Sequence, residues 1–264
     1  MNIYHSLNEI TAYIEEHLED EISYSALARI LGTNEYTMKR IFTMLTGVCL
    51  AEYIRKRRLS NAGFDLCQEN CKVIDLAVKY QYENATSFSR AFERFHGVKP
   101  SLVTSDTKLK NFPRIVFSEE VFHPCELEYE IVSFPSFELY GKGIATSNAK
   151  IASDAPLFFQ KFENLYEKQY GPVPYGMITY DVDREESQMY YCAYRNFIDG
   201  FDHFTIPASK WLRFRISSQN PAEIHETSQK FYHEFLPSCK FNLRELPELE
   251  FYHDQVTDFL VAID

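Results

Sequence analysis

Arg90 sits among Ala85, Thr86, Ser89 and Glu93 at helical spacing, so one guanidinium projects from a face otherwise made of small and polar groups. A guanidinium held that way can reach a base edge or a phosphate, and small neighbours let a helix enter a major groove. The same pattern also fits an ordinary amphipathic helical hairpin. A second basic feature, Arg55-Lys56-Arg57-Arg58, suits either phosphate contact or a solvated helix face.

Other chemistries find little support. The six cysteines (Cys49, Cys67, Cys71, Cys125, Cys192, Cys239) include no CxxC pair, and Cys67 with Cys71 do not close a metal site alone. His203, His225, His233 and His253 lack ligand spacing, and there is no serine-histidine-acid order or phosphate loop. No metal and no cofactor is expected.

The elements that carry Arg90 are legible from periodicity. Val73, Ile74, Leu76, Ala77 and Tyr80 form one apolar series, Gln81 to Asn84 a polar turn, and Phe88, Ala91, Phe92 and Phe95 a second series. Asn84 is a cap, and Gly97 with Pro100 a stop. The same plan occurs earlier: a helix from Ser23 or Ser25 through Leu31, a turn at Gly32, and a second helix from Asn34 to Gly47. A first helix is expected over residues 4–19, and a spacer helix from Cys49 to about Gln68. About 18 residues of helix span roughly 27 Å, close to the ~34 Å between successive major-groove faces.

The chain of 264 residues suggests two domains. Its net charge of -11 is uneven: residues 1–110 hold 14 basic and 14 acidic side chains, so the whole excess falls on residues 111–264. Between residues 22 and 110 the balance is 14 basic to 8 acidic, which is compatible with phosphate contacts. The acidic remainder points to a cationic ligand or simply to solubility. With no apolar run of about 18 residues and no leader-like start, a soluble, cytoplasmic protein without membrane contact is expected.

The segments LARILGTNEYTMKRIFTMLTG, AEYIRKRRLSNA and VIDLAVKYQYENATSFSRAFERFHGVKPS together resemble the DNA-binding domain of AraC/XylS-type transcription regulators. The resemblance implies an all-helical double helix-turn-helix domain over residues 1–107. Its reading helices would be Glu35 to Leu45, with Tyr36, Lys39 and Arg40 at the DNA, and Ala85 to His96, with Thr86, Ser89 and Arg90. Arg40 and Arg90 can alternatively brace the fold through Glu35 or Glu93. Promoter DNA and RNA polymerase are the partners this implies. Two departures stand out: Gln81 occupies the usual turn glycine position, which tends toward positive φ and costs a side chain about 1 kcal/mol, and Ala85 offers no hydrogen bond. The second reader is therefore expected to be the weaker.

A linker is expected over residues 108–124 and a second domain over 125–264. There strands over Leu127 to Val132 and Phe137 to Ile144 precede a helix opened by Asp154 and Pro156, and strands over Tyr175 to Asp181 and Gln188 to Tyr194 follow, separated by the charged turn Asp183 to Glu186. A strand over Trp211 to Ile216, a helix from Asn220-Pro221, and strands over Leu249 to His253 and Phe259 to Ile263 repeat the order. This is a duplicated β-α-β-β plan, an α+β domain with a groove at the junction of its halves. The runs YEIVSFPSFELYGKGI, FTIPASKWLRF and LPELEFYHD resemble the GyrI-like effector-binding domain, and that resemblance implies a cation-meeting glutamate at Glu250. Tyr252 shares its strand face, and Trp211, Tyr175, Tyr194 and Tyr140 are candidate aromatic walls, although all can equally be core.

The sequence thus points to a non-enzymatic, ligand-responsive transcription regulator sensing a small molecule, with an aromatic or lipophilic cation favoured. The competing classes are a hydrolase using Glu250 and Tyr252, and a protein-interaction module. Oligomeric state is left open.

Overall fold

The computed structural model describes residues 3–68, 71–104, 107–118, 127–184, 188–239 and 241–264. Cys125, the linker from 119 to 124, the expected domain start at 125, and residues 185 and 186 of the charged turn lie outside the described residues. The helices of the first part are α1 (Ile3–Glu16), α2 (Tyr24–Leu31), α3 (Glu35–Thr46), α4 (Leu50–Gln68), α5 (Val73–Lys79) and α6 (Ala85–His96). Their caps follow from sequence: Ser23, Asn34 and Asn84 accept from backbone N–H groups in the first turns of α2, α3 and α6, and Gly32, Gly47 and Gly97 close those helices at positive φ. Among the described residues no helix is long and apolar enough to cross a membrane.

By backbone proximity the chain forms two compact units, Met1–Gly32 with Leu50–Glu120, and Thr33–Cys49 with Val121–Asp264. Helix α3 is therefore grouped with the C-terminal unit, whereas the sequence expectation placed it in a domain covering residues 1–107.

In the first unit α6 buries Phe88 and Phe92 against Leu59, Ala62, Leu76 and Tyr80. Such a ring removed from a core costs about 3–5 kcal/mol. The basic run of α4 turns inward. Arg57 forks onto Glu15 at 2.8 and 2.7 Å, Arg55 pairs with Glu52, and Arg58 donates to the carbonyls of Leu18 and Asp20. Arg57 and Arg58 thus tie α4 to α1 and to the segment that follows it, while Arg55 is engaged within α4 itself. The described part of the expected linker also packs on this unit: Phe112 N–H donates to Ser60, and Asn8 exchanges hydrogen bonds with the backbone of Phe117.

The second unit is an eight-stranded antiparallel sheet with two long helical segments. Its elements are β1 (Glu130–Phe134), β2 (Phe137–Thr146), α7 (Ile151–Tyr170), β3 (Tyr175–Thr179), β4 (Gln188–Tyr194), β5 (Asp202–Ile206), β6 (Ser209–Ile216), α8 (Pro221–Lys230), β7 (Glu248–His253) and β8 (Val256–Ile263). The duplication expected from sequence is present, with one element more per repeat: each runs β-β-α-β-β. The strand missed at the start of the second repeat is β5, a short, polar edge strand whose alternation is too weak to read.

The sheet order is β1-β6-β8-β7-β3-β4-β2-β5. Exchanging the two repeats turns this order into its own reverse, so a pseudo-twofold axis passes between β7 and β3. Each repeat lends its first strand to the other half, β1 to β6 and β5 to β2. One face carries Leu139, Tyr175, Met177, Trp211, Leu249 and Ala262 as a core. The other carries Ile178, Tyr190, Cys192 and Tyr194 beneath Phe162 of α7.

Candidate functional site

The functional geometry centres on β7. Its residues Glu248, Glu250 and Tyr252 point to one face, because side chains alternate along a strand. Register places Gly176 of β3 opposite Glu250 and Ile178 opposite Glu248, while Tyr190 of β4 lies opposite Ile178. Paired residues share a face, so these side chains converge under α7 and α8. Between the two helices and the sheet lies a cavity of about 490 Å³, lined by Ala155, Phe159 and Glu163 of α7, Ile224, His225 and Ser228 of α8, Tyr180, Tyr190, Glu250 and Tyr252, and by Met44 of α3. The size and mixed lining suit a drug-sized ligand.

Glu250 is 9% exposed. Tyr252 donates a short hydrogen bond to its Oε2, and Tyr190 donates to the same atom at 3.3 Å. Burial pushes its carboxyl above the ordinary carboxylate range; the two phenol donors oppose that rise, and the nearby Glu248 charge adds to it. Burial likewise raises both phenols well above their usual value. Among the described residues Glu250 has no ion-pair partner. Gly176 makes this arrangement possible: a Cβ there would collide with Glu250 Oε2 and come within 2.8 Å of the Tyr190 hydroxyl.

Glu248 is different. Arg40 Nη2 donates to its Oε1 at 2.8 Å, Tyr180 donates to Oε2 at 2.8 Å, and Tyr232 donates to Oε1 in a short hydrogen bond. The Arg40 guanidinium also lies 3.4 Å from the centroid of the Tyr180 ring, a stacked cation-π geometry. Burial still raises the Glu248 carboxyl, with Arg40 and Tyr180 pulling it back. Beside this pair, burial pushes the Tyr36 phenol up to about 12, with Arg40 opposing. Lys39 reaches Asp183 at 2.7 Å. Asn34 and Thr37 add hydrogen bonds to the backbone of Leu243.

Of the six ligand-site residues read from sequence, Glu250 and Tyr252 line the cavity. Trp211 and Tyr175 lie in the core of the opposite sheet face, Tyr194 packs under Phe162 and donates to Gly171 O, and Tyr140 stacks on His203 at the β2/β5 edge. The structure does not bring these four to the cavity: strand parity turns Trp211 and Tyr175 to the opposite face, while Tyr194 and its cross-strand partner Tyr140 share the face of Tyr190 but lie away from the cavity, against Phe162 and His203. Tyr190, Tyr180, Phe159, Glu163 and Met44 were missed. Parity from Gln188 and Ile178 flags Tyr190, but only the fold brings α7 and α3 in.

Of the residues expected at DNA, Thr86 and Arg90 are exposed on α6, and Ser89 is half-buried with its hydroxyl donating to Ala85 O. Tyr36, Lys39 and Arg40 stand on α3 in the contacts just described, and Arg40 is 2% exposed. Its carboxylate partner is Glu248, not Glu35. Among the described residues no group of His, Cys, Asp and Glu is placed to hold a metal ion.

Comparison with known proteins bears on both units. A helix-turn-helix domain family matches residues 27–105, and the integron-associated effector binding protein family matches residues 130–264. The HTH-type transcriptional activator AarP of Providencia stuartii is 37% identical over 102 residues, 38% of this chain and 76% of that protein. The transcriptional regulator Rob of Salmonella typhimurium is 26% identical over 106 residues, 40% of this chain but only 37% of its own length. Among solved structures, an integron cassette protein from Vibrio cholerae aligns at 14% identity over 52% of this chain and 95% of that one, with a TM-score of 0.41, a likeness too distant to bear on function. Together these matches make the chain a member of the integron-associated effector binding protein family through its C-terminal half, joined to the helix-turn-helix region of an AraC-type transcription regulator.

Proposed function

We propose that this regulator senses a lipophilic, aromatic cation bound at Glu250, and that the bound state sets its activity at promoters, in concert with RNA polymerase. The observation that carries the reading is a nearly buried carboxylate, walled by Phe159, Tyr190 and Tyr252, whose partners among the described residues are neutral hydroxyls. A cation entering the cavity supplies the missing countercharge, and the ring faces add cation-π attraction. The reading is of binding without turnover: both phenols donate to Glu250 and resist ionisation, so neither is poised to act as a base on water. DNA contact is carried by Tyr36, Lys39 and Arg40 of α3 and by Thr86, Ser89 and Arg90 of α6, with the protein acting in the cytoplasm on the chromosome.

Calorimetric titration with tetraphenylphosphonium tests the ligand claim. Saturable binding to the wild-type chain that Glu250→Gln weakens at least about tenfold is expected from loss of a desolvated charge pair. Equal affinity in both proteins would overturn the role of Glu250.

A further inference from the structure

Helix α3 carries three of the residues assigned to DNA, and each meets side chains of the effector domain. Arg40 is paired with Glu248 and stacked on Tyr180, Lys39 is paired with Asp183, and Tyr36 lies beside Arg40 and Glu248. Two carboxylates and the phenols thus hold the very groups of this helix that are assigned to phosphates and base edges. A guanidinium 2% exposed cannot reach DNA while these contacts hold. One turn beyond Arg40, Met44 lines the cavity that holds Glu250. Glu248 and Glu250 stand two residues apart on the same face of β7, so the group that holds α3 and the group that faces the ligand share one field. The docked face is also incompletely satisfied: Arg40 Nε and Thr43 Oγ1 are buried without a hydrogen-bond partner among the described residues.

We propose that α3 has two mutually exclusive partners, the acidic face of the effector domain and operator DNA, and that a cation bound at Glu250 moves it from the first to the second. This rests on the reading of the cavity as a cation site. The cation acts on the dock in two ways. Its charge sits beside the Glu248–Glu250 pair and repels Arg40, in an interior where charges are poorly screened. Its bulk competes with Met44 for the cavity wall. A ligand shifts such an equilibrium only through its different affinity for the two states, and both effects make the docked state the poorer binder. By linkage, DNA that captures α3 raises cation affinity by the same factor.

Hydrogen exchange on the full chain, with and without saturating tetraphenylphosphonium, tests the proposal. Amides of α3 from Met38 to Leu45 are expected to exchange about 5- to 150-fold faster with the cation bound, the usual range of allosteric coupling, while α6 is unchanged. Glu248→Gln should accelerate the same amides without ligand. Should that variant fold poorly, Asp183→Asn tests the dock from its half-exposed acid, with a smaller acceleration expected. Cation binding confirmed by calorimetry but with unchanged α3 exchange would overturn the switch and leave the cation site standing. No cation binding at all would overturn both.

Discussion

The Arg40 guanidinium and the Glu248 carboxylate lie 2.8 Å apart with side chains only 3% and 4% exposed. A buried pair of this kind is held by Coulomb attraction that little more than offsets two desolvation costs. Removing one partner strands the other, so Glu248→Gln should destabilise the second unit by about 3–5 kcal/mol, whereas the paired apolar replacement Arg40→Met with Glu248→Leu should recover most of that loss. Urea unfolding of the three proteins measures it. A double variant as unstable as the single one would mean that the packing of α3, and not the ion pair, sets the cost.

Glu250 carries the opposite sign. Its folded carboxyl lies above the ordinary range, so the fold favours its protonated form. Its contribution to stability is most favourable below the unfolded carboxylate value and declines as pH rises through the raised folded one. Glu250→Gln, which keeps an acceptor for Tyr190 and Tyr252, should therefore raise the unliganded melting temperature at neutral pH while losing the cation response. A melting temperature below wild type would show the carboxylate to be stabilising. Cation affinity should also fall as pH drops through the free carboxyl's value, because protonation removes the countercharge.

Gly176 tests the geometry. A methyl group there collides with Glu250 Oε2 and crowds both phenols, so Gly176→Ala should cost cation affinity at least about tenfold while helix content by circular dichroism stays at the wild-type level. Unchanged affinity would place the ligand elsewhere in the cavity.

Gln81 tests the first unit. Its φ of 61° is the left-handed conformation its place in the turn suggested, and its side chain donates to Glu19 O at 2.6 Å. Alanine keeps the strain and loses the hydrogen bond; glycine loses both. Gln81→Gly should be more stable than Gln81→Ala by about 1 kcal/mol, read from chemical denaturation. Equal stabilities would mean that the turn relaxes.

His96 gives a pH prediction. Its Nδ1 accepts from Lys110 N–H and its Nε2 faces Leu59 O, and burial holds its pKa below the ordinary imidazole value. The neutral ring is the folded form, so its contribution is complete above that value and lost as pH falls through the folded one. Wild type should lose more stability on going from neutrality to about pH 5 than His96→Asn does, and parallel losses would assign acid sensitivity elsewhere.

The helices and caps of the first part were legible because each boundary has a chemical marker: Asn34 and Gly47 bracket α3, and Asn84 and Gly97 bracket α6. The duplicated domain was legible from helices separating strand runs, except β5, whose polar DHFTI segment pairs at an edge. Glu250 and Tyr252 were visible as one strand face. What sequence did not show is which rings join them: Trp211 falls on the opposite face of the sheet, and Tyr194, two residues from Tyr190 on the same face, packs under Phe162 instead. Nor did it show that Arg40 meets Glu248, 208 residues away along the chain.

The central claim is that occupancy at Glu250 controls DNA binding. It is tested most directly by measuring, at fixed salt, the affinity of the full chain for a promoter fragment selected from genomic DNA, with and without saturating tetraphenylphosphonium. The account predicts an increase of at least about fivefold that is absent in Glu250→Gln. The same DNA affinity with the cation demonstrably bound would contradict it.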